Sequence, residues 1–427
     1  MKSTQTLKSE LKNGIYSDIL SYLYRTANTE PYAKRYIEVI DEFEKTFGQA
    51  DEIELFSAPG RTEIGGNHTD HQHGCVLAAS VNLDVIAAAR PNGTNQIRVQ
   101  SRNYKMDIID LNDLEIHEEQ YDKAIALIRG VVKKFVDLGY KVQGFDAYTI
   151  SNVLKGSGLS SSAAFEVLIG TIINGLFCNN EVSSVDIAKF GQFAENVYFG
   201  KPSGLMDQMA SSVGSVVAID FSSTENPKIE KVDMNLQKYG YALCIIDSGA
   251  DHADLTDEYA TIPADMKEIA EFFGKNYLRE VDEKDFFANI SEIRKKIKND
   301  RAVLRAIHFF KDNKYAQEEA IALKNEDFET FLKLNRLSGQ SSFMYLQNIY
   351  PNKTPKSQAV SLTLSLCDKI LGDKGSYRVH GGGFAGTVQA FVPNDMLDSF
   401  KSQIEAVLGE NMCHILSVRP VGGYMLK

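Results

Sequence analysis

The residues best suited to do chemistry lie at 154–164, where the chain reads L-K-G-S-G-L-S-S-S-A-A. Gly156 and Gly158 remove side chains from a turn, and the serines and alanines that follow predict a helix over about 160–178. A helix start leaves backbone N–H groups unpaired and carries partial positive charge, so a glycine turn leading into it suits a phosphate. An ordinary helix capped by serines after a loop is the alternative.

A second polar cluster occupies residues 58–74, A-P-G-R-T-E-I-G-G-N-H-T-D-H-Q-H-G, between stretches that read as short strands. Four of its side chains are of metal-ligating types: His68, Asp70, His71 and His73. They crowd too closely for one tetrahedral site, and no second group of ligands is apparent. Two other interpretations stay open, which are recognition of a sugar or similar polar metabolite and a solvated polar loop.

The third cluster, residues 194–209, reads A-E-N-V-Y-F-G-K-P-S-G-L-M-D-Q-M. Glu195 falls near the end of a predicted helix, and Asp207 follows a turn that contains proline and glycine. Because Leu205 and Met206 precede it, the Asp207 carboxylate is expected to be partly desolvated. That environment suits a general base, and the position also suits a helix cap.

The fourth cluster is H-G-G-G-F-A-G-T at residues 380–387. Three successive glycines before a predicted strand permit close approach of the backbone to a ligand or to another loop. Taken alone, such a run is also typical of a plain turn.

The elements that must position these clusters mix helix and strand patterns without a regular βαβ period, which predicts an α+β fold. Helical periodicity covers much of the first fifty residues and then 121–138, 185–198, most of 264–371, and 394–408. Strand patterns fill four short runs within 53–99 and then 144–150, 215–221, 241–247, 388–392 and 414–418. The stretch S-S-T-E-N-P-K is the predicted domain junction, which divides the chain into residues 1–225 and 226–427.

Composition limits the classes of function. The chain has 427 residues, enough for two domains, and its 43% hydrophobic and 24% charged content is ordinary for a globular protein. A net charge of −11 argues against a nucleic-acid or anionic-membrane surface. The five scattered cysteines, with no CxxC spacing, predict reduced thiols, and the polar N-terminus lacks a secretory pattern. A cytoplasmic protein is therefore expected.

Taken together, the clusters resemble the motifs of the GHMP small-molecule kinases, and most closely those of the galactokinase family. The family motif G-R-V-N-L-I-G-E-H-T-D-Y is similar to residues 60–71, and P-x-G-x-G-L-S-S-S-A is similar to 154–163, with leucine in the proline position. T-G-G-G-F-G-G resembles 380–386, G-I-M-D-Q resembles 204–208, and S-E-Y-N-T-R-R is echoed at 257–263. The matches follow the family's order and spread over most of the chain.

This resemblance implies an N-terminal half like ribosomal protein S5 and a ferredoxin-like C-terminal half, with the active site between them. It also implies an ATP-dependent kinase that uses Mg²⁺ and phosphorylates the anomeric C1 hydroxyl of galactose. The expected partners are therefore a small-molecule sugar and ATP, without nucleic acid or membrane. The protein is expected to be a monomer or a weak homo-oligomer.

Family position also implies roles for individual residues. The ATP phosphates would be cradled by Gly156, Ser157, Gly158, Leu159, Ser160, Ser161 and Ser162. Ser162 and Glu195 would hold Mg²⁺, a hard cation that prefers oxygen ligands. Asp207 would take or orient the proton of the anomeric hydroxyl, while Arg61 would offset charge on the transferring phosphoryl group and help position Asp207. The residues that would contact the sugar are Asn67, His68, Thr69, Asp70, Gly204 and Tyr259.

Asn67 departs from the family pattern, which has glutamate at this position. A glutamate can accept a hydrogen bond from the sugar 6-hydroxyl and would repel a carboxylate at C6. An amide can also bond the hydroxyl, but it does not repel a carboxylate there. The stretch G-N-H-T-D-H-Q also resembles G-A-H-I-D-H-Q of the plant galacturonate kinases, so a uronic acid is the alternative substrate. A non-catalytic sensor of galactose and ATP is a further alternative, which the retention of Asp207 and Arg61 disfavours.

Overall fold

The computed structural model describes residues 1–154, 157–250 and 255–427. Its helices are α1 (Thr4–Lys12), α2 (Ser17–Tyr24), α3 (Glu30–Phe47), α4 (Ala124–Asp137), α5 (Ser161–Phe177), α6 (Ser184–Phe193), α7 (Met206–Val213), α8 (Leu236–Tyr239), α9 (Thr256–Phe272), α10 (Glu283–Ile297), α11 (Asp300–Lys324), α12 (Phe328–Ser341), α13 (Ala359–Leu371) and α14 (Leu397–Leu408). Its strands are β1 (Glu54–Gly65), β2 (Cys75–Pro91), β3 (Gln96–Ser101), β4 (Asp107–Asp110), β5 (Phe145–Ser151), β6 (Val216–Asp220), β7 (Lys228–Val232), β8 (Tyr241–Asp247), β9 (Ser376–Val379), β10 (Thr387–Pro393), β11 (Cys413–Leu416) and β12 (Tyr424–Leu426). Helices and sheets mix as the α+β expectation requires.

The larger sheet is built around β2 and has the strand order β12-β1-β2-β5-β3-β4, with β6 and β7 branching from the start of β2. Most pairs are antiparallel, while β3 and β5 run parallel. β12 comes from the far end of the chain and pairs antiparallel with β1, where Phe56 lies opposite Met425. The first and last strands of the protein are therefore neighbours.

The smaller sheet has the order β11-β8-β10-β9 and is antiparallel throughout. Successive side chains of a strand point to opposite faces, so β8 is covered on both sides. Cys244 and Ile246 pack with α13 and α14, whereas Leu243 and Ile245 join the main core that also contains Phe331 of α12. Helices α11 and α12 thus connect the smaller sheet to β1 and β2 of the larger one.

The first three helices cover the outer face of the larger sheet. Tyr36, Val39 and Phe43 of α3 are buried against strand residues such as Leu55 and Ile86. The helical periodicity expected in this region is therefore explained by an apolar face that packs on the sheet.

Several elements match the sequence prediction closely, and others differ for a physical reason. Helix α5 begins at Ser161, and β8 spans the 241–247 stretch as expected. The two predicted runs within 75–91 form the single long strand β2, and residues 58–65, predicted to lie between strands, belong to β1. Both strands are buried on both faces along most of their length, so they lack the alternation that marks a strand in sequence.

Two further predictions concern boundaries. The helix expected at 185–198 continues after α6 as a π-helical segment, Ala194–Phe199. The division at residues 225 and 226 stays a prediction; β7 lies beyond it, yet pairs with β6 of the larger sheet. Within the described ranges, no helix is long and apolar enough to cross a bilayer.

Candidate active site

Strand β1 brings Arg61 to the predicted phosphate loop. The register between β1 and β2 shifts between Pro59 and Arg61, an irregularity of the kind that redirects a side chain. The Arg61 N–H donates to the carbonyl oxygen of Leu159 at 3.0 Å, and its Nη1 donates to the carbonyl of Gly158. The arginine is thus fixed to the loop through both its backbone and its side chain.

Arg61 and Asp207 form a bidentate ion pair. Arg61 Nε donates to Asp207 Oδ1 at 2.7 Å, and Nη2 donates to Oδ2 at 2.7 Å. Ser160 Oγ donates to the same Oδ2 at 2.7 Å. Asp207 stands in the first turn of α7, where the partial positive charge of a helix start favours a carboxylate. The two predicted catalytic groups therefore meet at the start of α5.

The charge state of Asp207 follows from these contacts. Burial acts to raise the pKa of its carboxyl group, but the Arg61 guanidinium and the Ser160 hydroxyl outweigh burial and hold that pKa below its usual value. Asp207 is therefore an anion near neutral pH. A carboxylate of low pKa is a weak base, so it is better suited to orienting a hydroxyl than to removing its proton early.

The start of α5 has the features that a phosphate site needs. Ser160 precedes the helix with a positive φ of 51°, and within the described part of the loop its side chain makes no capping hydrogen bond. The N–H groups of the first turn are consequently not satisfied by that serine. Leu159 is fully buried and anchors the loop, while Ser161 and Ser162 are half-buried. Gly156 lies outside the described residues.

Ser162 and Glu195 approach each other beside this helix start. Ser162 Oγ lies 3.5 Å from Glu195 Oε1, and the Glu195 side chain is only 3% exposed. Glu195 belongs to the π-helical segment, a distortion that is common at functional sites. Two hard oxygen donors fit Mg²⁺, which commonly takes one or two protein oxygens and fills its remaining positions with water and phosphate. Lys201 Nζ lies 3.1 Å from the same Oε1.

Gln208 links Glu195 to Glu166 through hydrogen bonds. The motifs of the sequence did not assign a role to Gln208 or to Glu166. Gln208 Nε2 donates to Glu195 Oε2 at 2.8 Å and to Glu166 Oε2 at 2.9 Å. Burial raises the pKa of Glu166 well above its ordinary value. A signal was present, because Glu166 is an acid inside a mostly apolar helical run.

The glycine turn at 381–383 contacts three side chains from two distant parts of the chain. Its carbonyl oxygens lie 2.7 Å from Asn67 Nδ2 (Gly381), 2.9 Å from His68 Nε2 (Gly382) and 3.0 Å from the Tyr259 hydroxyl (Gly383). A Cβ at Gly382 would stand 2.5 Å from the Tyr259 ring. Glycine is therefore required there for the backbone to come this close.

Asn67 lies beneath the candidate sugar site rather than on its surface. The residue is fully buried, and its amide makes the two donations and two acceptances available to it. Nδ2 donates to Glu63 Oε1 at 3.0 Å and to Gly381, and Oδ1 accepts from Ser342 at 3.3 Å and from Asn348 at 2.9 Å. In this structure the amide has no hydrogen bond left for a ligand.

Thr69 is buried in the same way, whereas Asp70 is not. Thr69 Oγ1 lies within hydrogen-bond distance of the carbonyls of Gly66, at 2.9 Å, and Cys75, at 2.6 Å. Asp70 is half-buried, and its Oδ2 lies 3.3 Å from the point where a Cβ on Gly204 would stand. Asp70 thus reaches the turn that precedes Asp207. The predicted sugar residues accordingly divide into an accessible set and a buried pair, Asn67 and Thr69.

Two histidines of the second cluster, His68 and His73, have defined surroundings in the structure. Burial, together with His71, lowers the pKa of His68 to about 4. The His73 ring stacks on Tyr277 with a centroid separation of 3.6 Å. Among the residues that the structure describes, no three His, Cys, Asp or Glu side chains are arranged to hold a metal. The metal interpretation of this cluster therefore gains no support.

His380 joins the glycine turn to the phosphate loop. Its Nε2 lies 3.0 Å from Thr62 Oγ1, and its Nδ1 lies 2.8 Å from Thr387 Oγ1, which in turn donates to the Ser157 carbonyl at 3.2 Å. Burial and the nearby Arg61 lower the pKa of His380 to about 3. The neutral ring acts as a spacer between β1, β10 and the loop.

Comparison with known proteins identifies the same regions. Residues 41–91 match the galactokinase galactose-binding signature, and residues 126–215 match the GHMP kinase N-terminal domain. A galactokinase from Glaesserella parasuis serovar 5 (strain SH0165) is 32% identical over 370 residues, which cover 85% of this chain and 91% of that protein.

Solved structures share the fold. A Lactococcus lactis galactokinase complexed with galactose superposes with a TM-score of 0.74 at 23% identity, covering 90% of this chain and 98% of the other. The Methanococcus jannaschii mevalonate kinase gives a TM-score of 0.60 at 15% identity, covering 86% and 98% of the two chains. The architecture is therefore that of the GHMP kinases.

Proposed function

The chain belongs to the galactokinase family of GHMP kinases, and from this premise we propose that it transfers the γ-phosphoryl group of ATP to the C1 hydroxyl of galactose. The products are galactose 1-phosphate and ADP. The observation that carries the proposal is the bidentate pair of Arg61 and Asp207 beside the start of α5. The hydrogen bond from Ser160 to Asp207 connects this pair to the helix start. The arrangement supports the proposal because a carboxylate, a guanidinium and the start of a helix lie next to one another.

In the proposed reaction the C1 oxygen attacks the γ-phosphorus while the bond to the bridging oxygen of ADP breaks. Asp207 orients the hydroxyl and receives its proton as the new bond forms. Its low pKa makes it a weak base, which suffices because transition states of phosphoryl transfer are largely dissociative and positioning does most of the work. Arg61 holds the carboxylate and offsets negative charge on the transferring group.

The nucleotide site is proposed at residues 156–162, with the phosphates on the first turn of α5. Ser162 and Glu195 would hold Mg²⁺. When bound, the metal neutralises charge on the phosphates. We expect the protein to work in the cytoplasm as a monomer or weak homo-oligomer.

The proposed sugar contacts are the accessible members of the predicted set: His68, Asp70, Gly204 and Tyr259. Asn67 and Thr69 are proposed to support them from below, because both are fully buried and hydrogen-bonded within the protein. The position of the His68 ring is fixed by its contact with the Gly382 carbonyl of the glycine turn.

The test is ADP release from Mg·ATP in the presence of galactose, galacturonate, N-acetylgalactosamine or arabinose. Galactose is expected to be the best substrate, and Asp207→Asn is expected to lower kcat by roughly 10³ while the variant still binds galactose. A failure of every sugar to release ADP would refute the kinase assignment. A tenfold preference for galacturonate, about 1.4 kcal/mol in transition-state binding, would reassign the substrate.

A further inference from the structure

Lys201 makes a contact that the proposed catalytic roles do not use. Its Nζ lies 3.1 Å from Glu195 Oε1, the oxygen that also faces Ser162 Oγ at 3.5 Å. The Glu195 side chain is 3% exposed, whereas that of Lys201 is 60% exposed. The long side chain of Lys201 is therefore mostly exposed to solvent, while its ammonium group contacts the buried carboxylate of Glu195.

The charges around this point explain why a cation is needed there. Asp207 is matched by Arg61 through two hydrogen bonds. Apart from Lys201, the hydrogen-bond partners of Glu195 are the neutral side chains of Ser162 and Gln208. Among the described residues, Lys201 is the cationic group that lies within ion-pair distance of Glu195. A buried carboxylate without a counter-charge is costly, and it would repel the phosphates of a nucleotide.

We propose that Lys201 is a built-in substitute for the metal: it neutralises Glu195 while Mg²⁺ is absent and gives up Oε1 when the metal binds. This inference rests on the proposed assignment of Glu195 to the metal. The ammonium group and Mg²⁺ compete for one oxygen, and the exposed lysine can leave because its side chain has solvent to move into. The site then stays receptive to nucleotide in both states.

Binding of a fluorescent ADP analogue, measured with EDTA and again with saturating Mg²⁺, tests this directly. In Lys201→Met, metal-free Glu195 repels the phosphates, so the dissociation constant in EDTA is expected to rise about tenfold. With Mg²⁺ present the metal neutralises Glu195, and the constant is expected to change less than twofold. The ratio of the dissociation constant in EDTA to the dissociation constant with Mg²⁺ therefore rises. A purely structural defect would weaken binding in both conditions and leave this ratio unchanged.

Three further variants complete the test. Lys201→Arg keeps the charge and is expected to behave like the unmodified protein, and Lys12→Met, an exposed lysine of α1, is the matched control. In a Glu195→Gln background, Lys201→Met is expected to have no effect in either condition. Equal weakening with and without Mg²⁺, no change in either, or persistence of the effect in the Glu195→Gln background would each overturn the inference. Failure of the kinase proposal is read separately, from the absence of ADP release with galactose.

Discussion

At the scale of single residues, the chain exchanges two polar side chains that the family motif places the other way round. The motif G-R-V-N-L-I-G-E-H has asparagine and then glutamate, whereas this chain has Glu63 and then Asn67. The two side chains hydrogen-bond to each other at 3.0 Å, and Glu63 also pairs with Arg378 at 2.6 Å. The carboxylate therefore stands at position 63, where Arg378 pairs with it, and the predicted sugar position 67 carries a neutral amide.

The first residue-scale prediction concerns Asn67→Glu. A carboxylate there would lose two buried donations and face Glu63, so the free energy of unfolding is expected to fall by about 3 kcal/mol or more. The preference between galactose and galacturonate is expected to stay unchanged. Urea unfolding and the ratio of kcat/KM for the two sugars measure both effects. His68→Ala is the control, expected to raise the KM for galactose with little loss of stability; a stable Asn67→Glu variant with altered sugar preference would contradict the buried placement.

The second concerns Arg61→Met and the pH dependence of catalysis. Asp207 acts as the anion, which is present above its pKa, and Arg61 holds that pKa below its ordinary value of 3.8. Without the guanidinium, burial raises the pKa, so the variant loses additional activity as the pH falls. We expect the acidic limb of kcat/KM to move to higher pH, on top of a general loss of roughly 10². Parallel profiles for variant and unmodified protein between pH 5 and 9 would argue against this role of Arg61.

At the scale of elements, two helix starts face the same point. Helix α5 begins beside Ser160 and α7 begins beside Asp207, and the hydrogen bond between these two residues joins them. Arg61 of β1 contacts the loop before α5. The ring of His380 contacts β1 and so fixes the separation between β1 and the glycine turn. The positive ends of both helices thus add to the field that an anionic nucleotide would meet.

Gly158→Ala tests the fit of the phosphate loop. Gly158 has a φ of +71°, and a Cβ there would lie 3.1 Å from the His380 ring, so alanine would strain the loop and push it from the ring. The dissociation constant for ADP is expected to rise about tenfold, with a much smaller change in the KM for galactose. Gly139→Ala is the matched control, since Gly139 has a φ of +85° with no atom within 4 Å of its Cβ position. Equal effects of the two variants on ADP binding would show strain alone to be responsible.

At the scale of the whole molecule, Asp84 of β2 ties together parts of the chain that are far apart in sequence. Its carboxylate accepts hydrogen bonds from Tyr24 at 2.5 Å, Ser57 at 2.6 Å, Arg35 at 2.8 Å and Arg419 at 3.0 Å. The N-terminal helices, the larger sheet and the C-terminal segment therefore share one buried, hydrogen-bonded charge. Burial acts to raise the pKa of Asp84, but the two arginines outweigh it and hold the pKa below 3.8.

Asp84→Asn is expected to lower the free energy of unfolding by roughly 3–5 kcal/mol, because the buried Arg419 and the partly buried Arg35 lose their charged partner. The lowered pKa means that the contribution of Asp84 is present above about pH 4 and is lost as the pH falls through the folded pKa. The variant should consequently show a weaker loss of stability below pH 4 than the unmodified protein. Urea unfolding at pH 7 and thermal unfolding from pH 3 to 7 provide the measurements. An unchanged unfolding free energy at pH 7 would exclude this role.

Local patterns were sufficient for the parts of the molecule whose structure depends on neighbours in the chain. Glycines and serines before an apolar run predicted α5 to within one residue of its observed ends. Motif order singled out Arg61, Ser160 and Asp207, which hydrogen bonds join in the structure. The same reasoning found the start of β1 and two parts of β2 but missed residues 58–65 and the continuity of β2, because burial on both faces removes the alternation that marks a strand.

Only the tertiary structure decided which members of a polar cluster face a ligand. Asn67 and His68 are adjacent, polar and both in contact with the glycine turn, yet Asn67 is fully buried under Ser342 and Asn348, while His68 is only half-buried. The placement of Lys201 on Glu195 is likewise invisible in the order of residues. These outcomes depend on groups that the fold brings together from distant parts of the chain. Which donors and acceptors are already paired, and which are left for a ligand, is therefore determined only in the folded protein.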